Sequence, residues 1–210
     1  IKIKDFEVYQ GKVYPANRHY KFNQSVGTTV DDSGYYGTLN ASVFGNVTLT
    51  EGGAIFPGED ESFVRADVPF NNNNKMSVMA WVKGNGTDGL TGNWNIISDY
   101  GSFILGGNNN VQTFIIHPTD TTTYDHWVGP GSYDTHCNGS VTAYNIQNSN
   151  EWNHIAATWD GTTINYYVNG ELQRQCVTNG NIVMANNTFS SDLGQCGDGT
   201  DFECVRRQFV

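Results

Sequence analysis

The stretch that decides the fold is 151–170, which reads EWNHIAATWDGTTINYYVNG. Two runs rich in β-forming residues, Asn153–Trp159 and Thr163–Val168, flank the pair Asp160-Gly161, and a second pair, Asn169-Gly170, follows at once. Glycine adopts a positive φ without steric cost, so Asp-Gly or Asn-Gly between such runs predicts a tight β-hairpin. The chain is therefore expected to meander here through at least three antiparallel strands.

A second strong strand signal lies at Met76–Lys83, where apolar residues occupy both alternating positions. Apolar residues on both faces predict a central strand that is covered on both sides. Shorter strand-like runs separated by turn residues occur along the rest of the chain, and no long helix is indicated. The runs are 17–23, 43–49, 53–56, 63–68, 94–98, 101–105, 111–117, 173–177 and 181–185.

Composition fits one β-rich domain and excludes some partners. The chain has 210 residues, 24 of them Gly, and only 15% are charged, which is common in secreted or surface-exposed sandwiches. Its formal net charge of −10 argues against nucleic acid and against an anionic membrane surface, since both attract basic proteins. No apolar run approaches the roughly 20 residues that span a bilayer, and no signal peptide is visible.

Four cysteines allow three pairings. We favour Cys196–Cys204, which would close a short loop before the last strand, and Cys137–Cys176, which would tie the long irregular stretch 118–150 to a strand. Zinc is the rival use, but no Cys-x-x-Cys spacing occurs. The pattern therefore favours two disulfides and an oxidising compartment, outside the cell or at its surface.

Residues 1–15 form a possible assembly arm. Ile1 and Ile3 alternate with lysines, whereas Phe6 and Val8 alternate in the opposite phase, so a bulge or bend is expected near Asp5-Phe6. One interpretation is an extra edge strand folded onto its own domain. The other is an arm that adds to a neighbour's sheet, which would build a homopolymer or homo-oligomer.

The hairpin region also resembles the laminin-G-like, concanavalin A-like lectin/glucanase domains, in which a Trp-x-His-hydrophobic-Ala strand leads through Asp-Gly into a Tyr-Val-Asn-Gly-Glu strand. Further matches follow in the family's order, and the resemblance covers residues 16–210. It implies an all-β antiparallel jelly-roll β-sandwich, here with an extra N-terminal strand. The matching segments are 20–22, 31–34, 37–39, 54–56, 63–64, Met76–Val82 and 202–206.

The resemblance also implies a structural calcium ion near the early Asp-x-Ser-Gly loop. Asp31 matches the family's aspartate in that loop, and Glu203 matches an acidic position of the closing strand where the family more often has Asp. Other acidic candidates are Asp32, Asp198 and Asp201. The alternative is that Asp31 and Asp32 cap turns through their own backbone.

Catalysis is not predicted. Glycosidases of this superfamily place carboxylates on one strand as Glu-x-Asp-x-x-Glu, and no such run occurs. The contiguous acidic residues 59–61 follow Pro57-Gly58 and belong to a loop. We expect His154 to be a packed structural residue. An enzyme that has lost recognisable motifs is the least favoured hypothesis.

Carbohydrate binding and glycosylation are further possibilities. Sugars stack on exposed aromatic rings, and loop aromatics of the right type are Trp94, Tyr100, Tyr124, Trp127 and Tyr133. Asn-x-Ser/Thr sequons are a mild excess over chance and predict surface glycans if the source glycosylates secreted chains. They occur at Asn23, Asn40, Asn46, Asn85, Asn138 and Asn186.

Two main hypotheses follow for function. The first is a non-catalytic extracellular structural subunit that self-assembles, as a filament or oligomer, through Ile1, Ile3, Phe6 and Val8. The second is a calcium-dependent carbohydrate-binding or adhesive module of a larger surface protein. Neither hypothesis involves nucleic acid or membrane insertion.

Overall fold

The computed structural model describes sixteen strands and no helix among residues 2–9, 18–35, 39–57, 62–66, 75–84, 93–99, 103–108, 111–116, 126–128, 150–177 and 191–193. The strands are β1 (Lys2–Tyr9), β2 (Arg18–Tyr20), β3 (Thr29–Val30), β4 (Ala41–Phe44), β5 (Thr48–Thr50), β6 (Gly53–Ile55), β7 (Phe63–Ala66), β8 (Met76–Lys83), β9 (Asn93–Asp99), β10 (Phe103–Asn108), β11 (Val111–Ile116), β12 (His126–Val128), β13 (Asn153–Trp159), β14 (Thr163–Val168), β15 (Glu171–Val177) and β16 (Ser191–Leu193).

The strands form two eight-stranded antiparallel sheets. Sheet A has the order β15-β14-β13-β8-β1-β6-β5, and β2 also pairs with β1. Sheet B has the order β12-β11-β10-β9-β16-β7-β4-β3. Neighbours in a sheet are often distant in the chain, as for β8 beside β13, which is the long-range pairing expected of an all-β sandwich. The fold is therefore the predicted antiparallel sandwich.

The core lies between the sheets and draws side chains from both. Ile155, Trp159 and Tyr166 of sheet A belong to the same buried cluster as Leu105 and Phe114 of sheet B. These positions alternate with outward-facing ones along each strand, which is the pattern of a sheet with one buried face.

Complete burial also raises the pKa of the Tyr166 hydroxyl above its ordinary range, because the phenolate would be poorly solvated.

The strands predicted at Asn153–Trp159, Thr163–Val168 and Met76–Lys83 are confirmed with the same bounds. β13 pairs with β14, and β14 pairs with β15, so both predicted hairpins form. Their turns depend on positive φ angles at Gly161 and at Asn169-Gly170. β8 is central, as predicted, but its second face is only partly covered, because Trp81 remains 38% exposed while Met79 is half-buried.

The Asn169-Gly170 turn gives a clean test of backbone strain. Gly170 has φ +82°, and no atom lies within 4 Å of the position that a Cβ would take, so Gly170→Ala adds strain without a clash. We expect a loss of about 1 kcal/mol in the free energy of unfolding. Gly52→Ala is the matched control, since Gly52 lacks a positive φ and its nearest contact is 3.9 Å away. Urea unfolding curves that show equal losses would contradict this explanation.

The Asp160-Gly161 turn is held by one carboxylate. Asp160 Oδ1 accepts hydrogen bonds from Thr162 N at 2.9 Å, Thr163 N at 2.7 Å and Thr162 Oγ1 at 3.1 Å. The Thr162 backbone N–H is the main cause that lowers the pKa of Asp160 from its ordinary value of 3.8. The ionised carboxylate is thus the form that stabilises the turn.

A lowered pKa in the folded state means that the stabilisation is present above pH 3.8 and is lost as the pH falls through the folded value. We therefore expect Asp160→Asn to reduce stability near neutral pH, by under about 1 kcal/mol because the group is exposed. The difference between wild type and variant should shrink on acidification. Thermal unfolding at several pH values measures this, and a difference that grows toward acid would contradict it.

The N-terminal strand lies inside sheet A. β1 pairs with β8 along one edge and with β2 and β6 along the other. The register with β8 shifts between Ile3 and Phe6, which confirms the predicted bulge. β1 is folded onto its own domain, as one interpretation predicted, but the predicted edge position is wrong, because β1 has hydrogen-bonded neighbours of its own chain on both sides.

Two strand predictions were too long. The run 43–49 is not one strand: β4 ends at Phe44 in sheet B, and β5 begins at Thr48 in sheet A. Gly45, with φ +63°, turns the chain between them. The run 17–23 is described from Arg18 and stays extended only to Tyr20, because Phe22 takes φ +51° while its ring is buried. The strands predicted at 181–185 and 202–206 lie outside the described residues.

Candidate functional site

The early acidic loop is organised by a buried ion pair. Asp32 Oδ2 lies 3.1 Å from Arg18 Nη1, with side-chain exposures of 0% and 11%. Asp32 Oδ1 accepts hydrogen bonds from His19 N at 3.0 Å and Gly34 N at 2.8 Å. Both carboxylate oxygens are therefore engaged within the fold. This supports the turn-capping interpretation for Asp32.

The predicted calcium ligands are not brought together among the described residues. Asp31 is exposed, and its Oδ1 accepts a hydrogen bond from Asn40 Nδ2 at 3.1 Å. Calcium takes six to eight oxygens, and Asp31 with Asn40 supplies too few. Glu203, Asp198 and Asp201 lie outside the described residues, as does any ligand they would provide. In the described part of the chain, no cluster of three or more His, Cys, Asp or Glu residues could hold a metal ion.

The other predicted sites are only partly described. Asn23, Asn40 and Asn46 are exposed, whereas Asn85, Asn138 and Asn186 lie outside the described residues. Cys176 is buried and disulfide-bonded, and its partner lies outside the described residues, so pairing with Cys137 stays a prediction. The described residues also exclude Cys196, Cys204 and Ile1. No side chain is described for Ile3, Phe6 and Val8. No side chain is described for the loop aromatics Trp94, Tyr100, Tyr124, Trp127 and Tyr133.

The most distinctive polar feature is a row across the outer face of sheet A, which we name the polar ladder. It comprises one residue from each of four adjacent strands, aligned by register: Ser77 on β8, Thr158 on β13, Asn165 on β14 and Gln175 on β15. Gln175 Nε2 donates to Asn165 Oδ1 at 2.7 Å, and Asn165 Nδ2 donates to Thr158 Oγ1 at 3.2 Å. Three of the four side chains are thus oriented by one another.

A second row, the apolar row, runs beside the polar ladder, two residues along β8, β13 and β14 and three residues along β15, where the register shifts. Its register partners are Met79, Ala156, Tyr167 and Leu172. Leu172 is 52% exposed, and Met79 and Tyr167 are half-buried. Beyond this row, the Trp81 ring packs against His154, with centroids 5.2 Å apart. The outer face of sheet A therefore presents polar, apolar and aromatic rows side by side.

The outer face of sheet B carries a different cluster. Phe44 and Phe63 are stacked with centroids 4.8 Å apart, and the Arg65 guanidinium lies 4.7 Å from the Phe63 centroid. Phe63 is only 8% exposed, so Phe44 and Arg65 largely form the surface. This cation–π arrangement stabilises β4 against β7. Because Arg65 makes a further interaction, it is not an open binding group.

A family comparison decides the classification. The laminin G model of the concanavalin A-like lectin/glucanases superfamily matches residues 57–202, well over half of the chain. The chain belongs to the concanavalin A-like lectin/glucanase superfamily. The resemblance expected from the hairpin region is thereby confirmed. A comparison with curated protein sequences found no match.

Solved structures with a similar fold include binding domains of botulinum neurotoxins. The serotype G binding domain has a TM-score of 0.58 and 18% identity, with 86% of this chain and 46% of that chain covered. The type DC binding domain in complex with SialylT has a TM-score of 0.60 and 16% identity, covering 81% and 41%. The same type with rat synaptotagmin II has a TM-score of 0.52 and 16% identity, covering 80% and 44%.

At these identities the neighbours establish the fold alone, and the chain spans less than half the length of each. The described residues include no helix long and apolar enough to cross a membrane. The polar ladder was not predicted from the sequence. Its members stand at ordinary alternating strand positions, and only the register between strands, set by non-local pairing, aligns them. Superfamily membership gives no signal for it.

Proposed function

We propose that this superfamily member is a non-catalytic, extracellular carbohydrate-binding module. The observation that carries the proposal is the outer face of sheet A, where an oriented, uncharged polar ladder lies beside apolar and aromatic rows. Sugars present hydroxyl groups on their edges and C–H groups on their faces, so they match such alternation of polar and apolar rows. The botulinum neurotoxin DC binding domain, which has a similar fold, was solved in complex with SialylT, and this fits the proposed function.

The non-catalytic part of the proposal is supported by how the described acidic groups are used. Glycoside hydrolysis needs two carboxyl groups facing one bond. Asp32 is buried in its pair with Arg18, and Asp160 is bound by its own turn. The polar ladder and the apolar row contain no carboxylate. These two rows therefore offer binding groups without an acid or a nucleophile.

The extracellular location is supported by Cys176, which is disulfide-bonded, since such bonds persist in oxidising compartments. The exposed sequons at Asn23 and Asn46 would carry glycans there. A calcium ion at Asp31 remains part of this proposal and requires Glu203 together with further oxygen ligands.

A glycan array probed with the full chain, with and without EDTA, tests the proposed function. We expect binding to a defined subset of glycans, and mass spectrometry of a bound glycan after long incubation should show no cleavage. Absence of binding to any glycan would overturn the proposal, and cleavage would overturn its non-catalytic part. Loss of binding in EDTA would show that calcium takes part.

The position of β1 favours a second candidate, and we infer that copies of the chain can associate by exchanging this strand. β1 is the first strand, and it fills an interior position between β8 on one side and β2 and β6 on the other. Main-chain hydrogen bonds do not depend on which copy supplies the strand. Exchange in a ring would give oligomers, and open exchange would give filaments.

Engineered disulfides test strand exchange. Glu7 and Met79 are register partners on β1 and β8, so Glu7→Cys with Met79→Cys crosslinks the two strands. With exchange, non-reducing gels show crosslinked dimers or ladders, whereas a monomer alone contradicts exchange. Ala156→Cys with Tyr167→Cys is the control, because it joins the two strands of one hairpin and crosslinks only within a chain.

A further inference from the structure

We propose that the polar ladder binds a neutral, extended oligosaccharide that runs across the strands of sheet A. This inference rests on the proposed carbohydrate-binding function and assigns its ligand class and its site. The ligand's hydroxyl edge lies on the polar ladder, and its C–H face lies toward the apolar row. Asn165 and Gln175 are the specificity-determining residues.

Both hydrogen bonds within the polar ladder point from β15 toward β13, and they leave specific donors and acceptors available to a ligand. Gln175 donates to Asn165, which donates to Thr158. After these bonds, each amide keeps one N–H, Gln175 keeps its carbonyl oxygen, and Thr158 keeps its hydroxyl proton. Three donors and one acceptor are therefore left across the sheet, and sugar hydroxyl groups, which both accept and donate, can satisfy all four.

The ladder is also preorganised. A long polar side chain that is fixed only on binding loses rotamer freedom, at a cost in affinity. Here the 2.7 Å and 3.2 Å bonds fix the two amides before any ligand arrives, while Gln175 stays exposed and Asn165 half-buried. Much of the ordering cost is therefore met by the folded sheet itself.

The dimensions point to a chain of sugars rather than a single one. The ladder crosses four strands, and strands lie about 4.8 Å apart, so it is about 14 Å long. The apolar row runs beside it across the same four strands. A monosaccharide would contact only part of this surface, whereas an extended oligosaccharide would contact all of it.

Charge selects a neutral ligand. None of the side chains in the polar ladder or the apolar row is charged, so an acidic sugar finds no cation there. The chain's net charge of −10 would also repel polyanionic glycans at a distance. Uronic-acid polymers and sulfated glycans are therefore disfavoured relative to neutral chains of the same length.

The test uses the full chain and calorimetric titration with neutral hexasaccharides of glucose, mannose and xylose and with oligogalacturonate as the acidic probe. We expect at least one neutral probe to bind more tightly than the acidic one. Asn165→Ala and Gln175→Ala should each weaken that binding about tenfold, as expected for removal of a hydrogen-bonding group. Gln173→Ala is the matched control, because it removes the same side chain from the same strand outside the ladder.

The outcomes are separable. Binding that is unchanged in both ladder variants, with unfolding transitions like those of wild type, overturns the assigned site but leaves the carbohydrate-binding function standing. Tighter binding of oligogalacturonate overturns the neutral ligand class. Absence of binding to every probe, together with a negative glycan array, overturns the proposed function and this inference with it.

Discussion

A chain that begins at residue 10 is expected to lose its cooperative unfolding transition and to regain it when a peptide of residues 1–9 is added. β1 is hydrogen bonded along both edges in the middle of sheet A, so its removal separates β8 from β2 and β6. A gap in the middle of a sheet exposes the core and leaves backbone groups unpaired. We expect the resulting loss in the free energy of unfolding to exceed the roughly 5–15 kcal/mol by which typical domains are stable.

The matched control is the same peptide with Phe6→Pro. Phe6 pairs with Tyr20 on one side and with Ala80 on the other, and proline lacks the N–H that an interior strand needs. We expect this peptide to fail to restore the transition in circular dichroism melts. A truncated chain that unfolds cooperatively without any peptide would show that β1 is dispensable, and strand exchange would then lose its physical basis.

Replacement of Asp32 by Ala is expected to lower the free energy of unfolding by about 3–5 kcal/mol, which is typical when one partner of a buried ion pair is removed. The change removes the carboxylate that pairs with the Arg18 guanidinium and the acceptor of two backbone N–H groups, those of His19 and Gly34. Chemical denaturation of wild type and variant measures the loss.

Two further variants separate the causes. Asp32→Asn keeps an oxygen for the backbone donors but removes the charge, so we expect an intermediate loss. Asp31→Ala is the control, because Asp31 is exposed and makes one side-chain hydrogen bond. We expect this variant to lose no more than about 0.5 kcal/mol in the free energy of unfolding. Equal losses for Asp31→Ala and Asp32→Ala would contradict the structural role of the buried pair.

The sequence predicted best where the signals are local. β8, β13 and β14 appear with the predicted bounds, because their alternation is regular and because Asp160-Gly161 and Asn169-Gly170 mark the ends of β13 and β14. The bulge in β1 was also visible, as a change in the phase of the apolar residues. Strand length and turn position are properties of a few neighbouring residues, so a single sequence carries them.

Prediction failed where partners decide the structure. The run 43–49 looked continuous, and only the split between sheets A and B shows that Gly45 breaks it. β1 looked like an edge strand because nothing local reveals that β2, β6 and β8 enclose it. Sheet position depends on pairing between residues far apart in the chain.

The candidate site illustrates the same limit. Thr158 lies in a run that the sequence predicts as a strand, but its alignment with Asn165 and Gln175 follows from the register of β13, β14 and β15. The hydrogen bonds that orient the amides depend on that register. The sequence instead predicts loop aromatics as sugar-stacking candidates, because residue type can be read from a sequence whereas alignment between strands cannot.

The most direct test of the polar ladder as a sugar-binding site is an amide-resolved NMR titration of the full chain with the neutral hexasaccharide that binds best. We predict shifts concentrated at Thr158, Asn165 and Gln175 and their neighbours on β8, with side-chain amide signals of Asn165 and Gln175 among the largest. Saturable shifts that map elsewhere, such as the loop around Asp31, and spare these residues would contradict the polar ladder as the binding site.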